Sequence, residues 1–136
     1  MDNNTYAVVT GASDGIGGAI ARELASRKHD LILHSLPDQG LSELCGELEN
    51  NHKIHALHYE VDLTAENGPQ SLFEFVKSKQ CEVNILVNNA GIGFEDLIES
   101  YIKKQIDCMI LLNKRALTLL TFFSPLNLKL TRNLIF

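Results

Sequence analysis

The run Thr10-Gly11-Ala12-Ser13-Asp14-Gly15-Ile16-Gly17 places three glycines between a short β-branched segment and an amphipathic stripe. No other feature of the chain constrains its fold as strongly. Residues 6–10 lack polar alternation and read as a buried strand. From residue 16 to 26 the apolar positions Ile16, Ala19, Ile20 and Leu24 keep the spacing of one helical face, and Arg27 and Lys28 follow near its negative carboxyl end. A glycine loop at such a junction lets backbone approach an anion closely, while the helix amino terminus offers unpaired N–H groups and a favourable dipole. A tight turn would use the same glycines, so the loop takes its meaning from the rest of the chain.

Beyond the loop the pattern is regular. Residues 31–33 supply a second apolar strand, and Leu41, Leu44, Cys45 and Leu48 form a helical stripe. Residues 54–61 read as a third strand. Gly68 and Pro69 open a helix carrying Leu72, Phe73 and Val76, since proline is tolerated in a first turn. Residues 83–87 read as a fourth strand. A long helical region then runs from about residue 95 past 120, with Leu97, Tyr101, Ile102, Ile106 and Met109 or Ile110 as its expected buried face. Strict alternation of strands and helices predicts parallel strands joined by right-handed crossovers, hence a doubly wound, Rossmann-like α/β sheet. The 136 residues suit a single domain over 1–136. The tail 117–136 is unusually apolar and needs burial, and residues 132–136 offer a fifth strand at the sheet edge. No helix comes after that strand to cover it, so the sheet is expected to be incomplete on its carboxyl-terminal side.

Composition narrows the partners. A hydrophobic fraction of 45% is that of a chain with a core, which argues against disorder, and a net charge of -5 without any basic stripe argues against nucleic acid. The polar amino terminus carries Asp2, unlike an export signal, and the apolar stretches fall short of a membrane span. A soluble, cytoplasmic protein is expected. Three widely spaced cysteines suit reduced thiols better than disulfides or a zinc site. His52, His55 and His58 recur every third residue, but an extended segment turns them to alternate faces, so no metal site is expected.

Two further motifs join the glycine run, Val61-Asp62-Leu63-Thr64 after the third strand and Asn88-Asn89-Ala90-Gly91 after the fourth. Three motifs in this order resemble the short-chain dehydrogenase/reductase family, over the amino-terminal half of its domain. The resemblance implies a nicotinamide dinucleotide as cofactor and hydride transfer to or from a small carbonyl or alcohol substrate. It implies that Gly11, Ser13, Asp14, Gly15, Ile16 and Gly17 cradle phosphates and ribose, and that Asp62 with the Leu63 backbone holds the adenine. Asn88, Asn89, Ala90 and Gly91 would brace the central strands and line the nicotinamide ribose. Asn113 would be catalytic, holding a water in a proton relay. Self-association into a homo-oligomer is expected on the same ground.

Cofactor choice turns on the end of the second strand, His34-Ser35-Leu36, where Ser35 is the residue expected to meet the cofactor. An acid there binds the 2′-hydroxyl of NAD and a base accommodates the phosphate of NADP. The segment supplies neither. The balance leans to NADP because no acid occupies the strand end, whereas Asp14 in the loop argues for NAD. The family's Tyr-x-x-x-Lys pair, in which an ammonium makes a tyrosine proton labile, has no counterpart: four residues after Tyr6, Tyr59 and Tyr101 stand Thr10, Leu63 and Gln105. An oxidoreductase of this family is the first expectation. The alternatives are a non-catalytic, truncated nucleotide-binding fragment and an interaction protein.

Overall fold

The computed structural model describes residues 4–124 and 134–135. Strands β1 (Thr5–Thr10), β2 (Asp30–Ser35), β3 (Ala56–Glu60), β4 (Glu82–Val87) and β5 (Leu134–Ile135) form one parallel sheet in the order β3-β2-β1-β4-β5. Between them run α1 (Gly15–Ser26), α2 (Leu41–His52) and α3 (Gly68–Ser78), then α4 (Lys103–Ile110) and α5 (Leu117–Phe123), the last two joined through a π-helical segment, Leu111–Ala116.

The central strands β1 and β2 bury both faces, which is why they read as unbroken apolar runs. Ala7 and Val9 of β1 and Leu31 and Leu33 of β2 meet Ala21, Ala25, Leu41, Leu44 and Leu48 from α1 and α2. Tyr6, Val8 and Ile32 point the other way, onto Leu72, Phe73 and Val76 of α3 and Ala116 and Leu120 near α5. Each fully buried Val or Leu contributes about 1.5–3 kcal/mol of transfer free energy. The chain leaves β1 toward β2 and β3, then returns to β4 on the opposite side. The order therefore reverses at β1, and a crevice opens beyond the carboxyl ends of β1 and β4.

Two expectations fail in instructive ways. Of the apolar stripe of α1, Ile20 and Leu24 pack half-buried against the core, yet Ile16 is 74% exposed and the buried positions are Gly17, Gly18, Ala21 and Ala25. The helix starts too close to the glycine loop for anything larger at Gly17, where a Cβ would stand 2.1 Å from the Gly11 carbonyl oxygen. The long helix begins at Lys103 rather than near residue 95, behind a separate 3-10 turn at Ile98–Ser100. Its expected buried face is mostly open: Leu97, Ile102, Ile106 and Ile110 are exposed. The sheet face on this side is already covered by α3 and α5, so burial falls later, on Ala116 and Leu120. Of the expected strand 132–136, Leu134 and Ile135 pair in parallel with Leu86 and Val87. The rest of the tail after Ser124 lies outside the described residues. Among the described residues no helix is long and apolar enough to cross a membrane.

Candidate functional site

The crevice at the β1 and β4 ends is tied by a compact set of hydrogen bonds. Thr10 Oγ1 accepts from the backbone N–H groups of Asn89 (3.1 Å) and Ala90 (3.0 Å) and donates to the Val87 carbonyl (3.3 Å). Asn89 Nδ2 donates in return to the carbonyls of Thr10 and Gly11, both at 3.0 Å. The glycine loop is thereby fixed to the segment Asn88 to Gly91. Gly11 takes φ +65°, and a Cβ there would lie 3.0 Å from Ala90 Cα. At Gly17 a Cβ would also come within 2.4 Å of Asn89 Nδ2. These two glycines are needed for close packing.

Gly15 differs. It also has positive φ (+57°), but none of the described residues lies within 4 Å of where its Cβ would be. Asp14 caps α1, its Oδ1 accepting the Gly15 N–H at 2.7 Å. Asp14, Gly15 and Ile16 are exposed along the rim, and Ser13 is half-buried beside them. The loop is thus open on its outer side and locked on its inner side.

Next to the loop lies a cavity of about 220 Å³ lined by His34, Leu36, Asp62, Leu63, Thr64, Ile92, Cys108 and Leu112. Its walls come from the ends of β2 and β3, the chain after β4, and α4 with its π segment. Asp62 Oδ1 accepts from the Thr64 N–H (2.8 Å) and hydroxyl (2.7 Å), which fixes the carboxylate at the rim. Leu63 anchors the wall from inside the core. Ser35 is buried and donates to the Leu36 carbonyl, so β2 presents His34 and Leu36 to the cavity instead. Leu36 is 52% exposed.

Three positioning features escape a reading of the sequence alone. His34 is 3% exposed; its Nδ1 accepts from the Gly11 N–H at 3.4 Å, and Nε2, carrying the proton, donates to the Val61 carbonyl at 2.8 Å. Burial holds its pKa below the ordinary imidazole value, against a smaller upward pull from the Val61 carbonyl and Asp62. Gly68 allows α3 to start hard against the Asp62 loop, since a Cβ there would stand 2.2 Å from the Asp62 carbonyl oxygen. Arg115 holds the same loop from the opposite side, donating to the carbonyls of Ala65 (3.3 Å) and Glu66 (2.7 Å). His34 and Arg115 carry no local sequence signal, because their partners lie far along the chain, and Gly68 is legible only as the start of a helix.

Asn113 stands in the π segment, a distortion that often marks functional sites. Its side chain clamps the backbone of Ile92, Oδ1 accepting the N–H at 2.9 Å and Nδ2 donating to the carbonyl at 2.7 Å. Gly91 lies against that clamp, with Asn113 Oδ1 3.3 Å from where its Cβ would be. Asn88 is buried and donates to Thr121 Oγ1 at 3.2 Å, while its Oδ1 has no partner among the described residues. The structure therefore brings the glycine loop, Asp62, the segment 88–91 and Asn113 around one crevice, with Ser35 beneath it.

A parallel sheet that reverses its order at β1, with a glycine loop at the reversal, defines the doubly wound α/β class. Residues 5–123 match the short chain dehydrogenase family. The chain belongs to the short-chain dehydrogenase/reductase family. It is 34% identical over 116 residues to the very-long-chain 3-oxoacyl-CoA reductase of Macaca fascicularis, covering 78% of this chain and 36% of that one. It is 33% identical over 109 residues to the D-beta-hydroxybutyrate dehydrogenase of Rhizobium meliloti (strain 1021), covering 79% of this chain and 42% of that one. The L-sorbose reductase of Gluconobacter frateurii, solved with NADPH and L-sorbose, superimposes with a TM-score of 0.81 at 30% identity, over 87% of this chain and 45% of that one. The chain thus spans less than half the length of these relatives.

Proposed function

We propose that residues 1–136 act as one dinucleotide-binding unit, the cofactor side of an NAD(P)-dependent oxidoreductase that moves hydride between a nicotinamide ring and a carbonyl or alcohol. The observation that carries this reading is the pairing of a locked, outward-open glycine loop with an adjacent, mostly apolar cavity of about 220 Å³. The open space at Gly15 leaves room for a pyrophosphate over Gly11, Ser13, Asp14, Gly15, Ile16 and Gly17. A flat base fits between Leu36, Leu63 and Ile92, with the Asp62 carboxylate accepting from its exocyclic amine. Asn89, Ala90 and Gly91 flank the site for the nicotinamide ribose, and Asn88 ties the end of β4 to Thr121 of α5 behind it.

The bound nucleotide supplies the hydride chemistry. The chain's own residues bind and orient it: Thr10 and Asn89 hold the loop, Arg115 and Gly68 hold the Asp62 loop, and Asn113 holds the Ile92 backbone beside the π segment. Likeness to the NADPH-bound L-sorbose reductase supports NADP as cofactor. Leu36, where β2 ends, supplies neither an acid nor a base, so NAD is kept as the second candidate. Assembly into a homo-oligomer through α4 is part of the proposal, supported by the exposed stripe Ile102, Ile106 and Ile110. The test is a parallel titration of the protein with NADPH and NADH, followed by nucleotide fluorescence. Saturable binding of either is expected, and absence of binding to both refutes the reading.

A further inference from the structure

We propose that His34 is a positioning residue for the glycine loop, and that the crevice takes its dinucleotide only while this imidazole is uncharged. The inference rests on the cofactor reading. It begins with three contacts. The His34 carbonyl accepts the Ala12 N–H at 2.8 Å, its Nδ1 accepts the Gly11 N–H, and its Nε2 donates to the Val61 carbonyl. One residue of β2 thus bonds both to the start of the glycine loop and to the residue before Asp62, and its ring forms part of the wall of the cavity between them.

Such a bridge works in one protonation state. Neutral imidazole with its hydrogen on Nε2 meets one donor and one acceptor correctly. A second proton on Nδ1 would point at the Gly11 N–H, donor against donor, and that contact would be lost. Gly11 sits at φ +65° with Ala90 packed against it, so its amide cannot shift without disturbing the loop fixed by Asn89. Of the titratable groups around the ring, β3 contributes Tyr59, in register beside His34, the chain after β3 contributes Asp62 and α4 contributes Cys108 to the shared cavity, while Thr10, Gly11 and Ala12 do not titrate. Burial opposes the charged form and outweighs the attraction of Asp62, which agrees with the geometry.

Binding linkage is reciprocal: if the ligand requires neutral His34, the ligand must lower the pKa of His34. The experiment follows the His34 ring proton by NMR through a titration between about pH 5 and 8, with and without saturating NADH or NADPH. Circular dichroism at each pH monitors the fold. The pKa is expected to fall on ligand addition, a fall of one unit meaning about a tenfold weaker affinity of the protonated form. A pKa that stays put or rises overturns the inference.

Variants give a second reading. His34→Asn keeps an acceptor for the Gly11 N–H, so it should bind within about threefold of the wild type and lose the acid dependence. His34→Val keeps neither bond and should bind at least about tenfold more weakly at every pH. Equal affinity of the two variants also overturns the inference, since filling space would then suffice. Saturable binding with an unmoved His34 pKa sinks this inference alone, whereas no binding at any pH sinks the cofactor reading with it.

Discussion

Replacing Gly17 by alanine should destabilise the protein far more than the same change at either neighbouring glycine. The added methyl would stand 2.1 Å from the Gly11 carbonyl oxygen and 2.4 Å from Asn89 Nδ2, distances at which backbone must move. Overpacking of this kind costs typically about 1–3 kcal/mol. Displacing Asn89 also strains its two 3.0 Å bonds to Thr10 and Gly11, each worth about 1 kcal/mol. The better helix propensity of alanine returns at most about 1 kcal/mol. The net loss is therefore about 2–4 kcal/mol. At Gly18 the nearest atom is 3.4 Å away and φ is not positive, so Gly18→Ala should be neutral or stabilise by up to about 1 kcal/mol. At Gly15 there is open space but φ is +57°, and Gly15→Ala should cost about 1 kcal/mol. Urea unfolding of the three variants, followed by circular dichroism, gives the order. A Gly17→Ala midpoint equal to that of the wild type would refute the packing argument, whatever the other two did.

Arg115→Ala should lower stability by about 1 kcal/mol, because the half-exposed guanidinium loses two carbonyl partners, and should weaken nucleotide binding as the Asp62 loop loosens; urea midpoints and NADH titration read the two effects. Leu36→Arg should raise NADPH affinity relative to NADH by about tenfold, since it places a guanidinium where β2 supplies no charge, and an unchanged ratio would locate the 2′ position elsewhere. Cys45 is buried, and its thiol is pushed up to about 12, chiefly by that burial. It should resist alkylation at about pH 8 while half-buried Cys81 and Cys108 react, with mass spectrometry counting the modified sites. Because its folded pKa is raised, the stability it contributes is present below its unfolded pKa of about 8.5 and is lost as the pH climbs toward 12.

The central strands were legible because β1 and β2 are buried on both faces, so Ala7-Val8-Val9 and Leu31-Ile32-Leu33 announce themselves without any partner. The stripes of α2 and α3 were legible for a similar reason, since Leu44, Leu48, Leu72 and Phe73 all meet the sheet. Helix α1 was legible only in part: Ile20 and Leu24 do pack against the core, but its most buried positions are glycine and alanine, which carry little hydrophobic signal, while Ile16 is spent on the exposed rim. In α4 the periodicity marked an apolar face correctly but could not say what lies over it, and α3 and α5 already occupy the sheet. At the crevice the glycine loop, Asp62 and residues 88–91 carried recognisable spacing. His34 did not: its bonds reach Gly11 and Val61, 23 and 27 residues away, and a histidine ending an apolar run looks only like a strand end.

The bonds between Thr10 and residues 89 and 90 join positions 79 and 80 apart in the chain. Closing a loop of that length costs entropy before any contact is gained, so this tie forms late in folding. On a ribosome adding amino acids from the amino terminus, the glycine motif emerges well before Asn89 and lacks its fastening until Asn89 has also cleared the exit. Until then the segment is a sequence without a shape. The locked form of the loop is therefore acquired at a definite moment of synthesis, when β4 docks beside β1, and not when the glycines themselves are made.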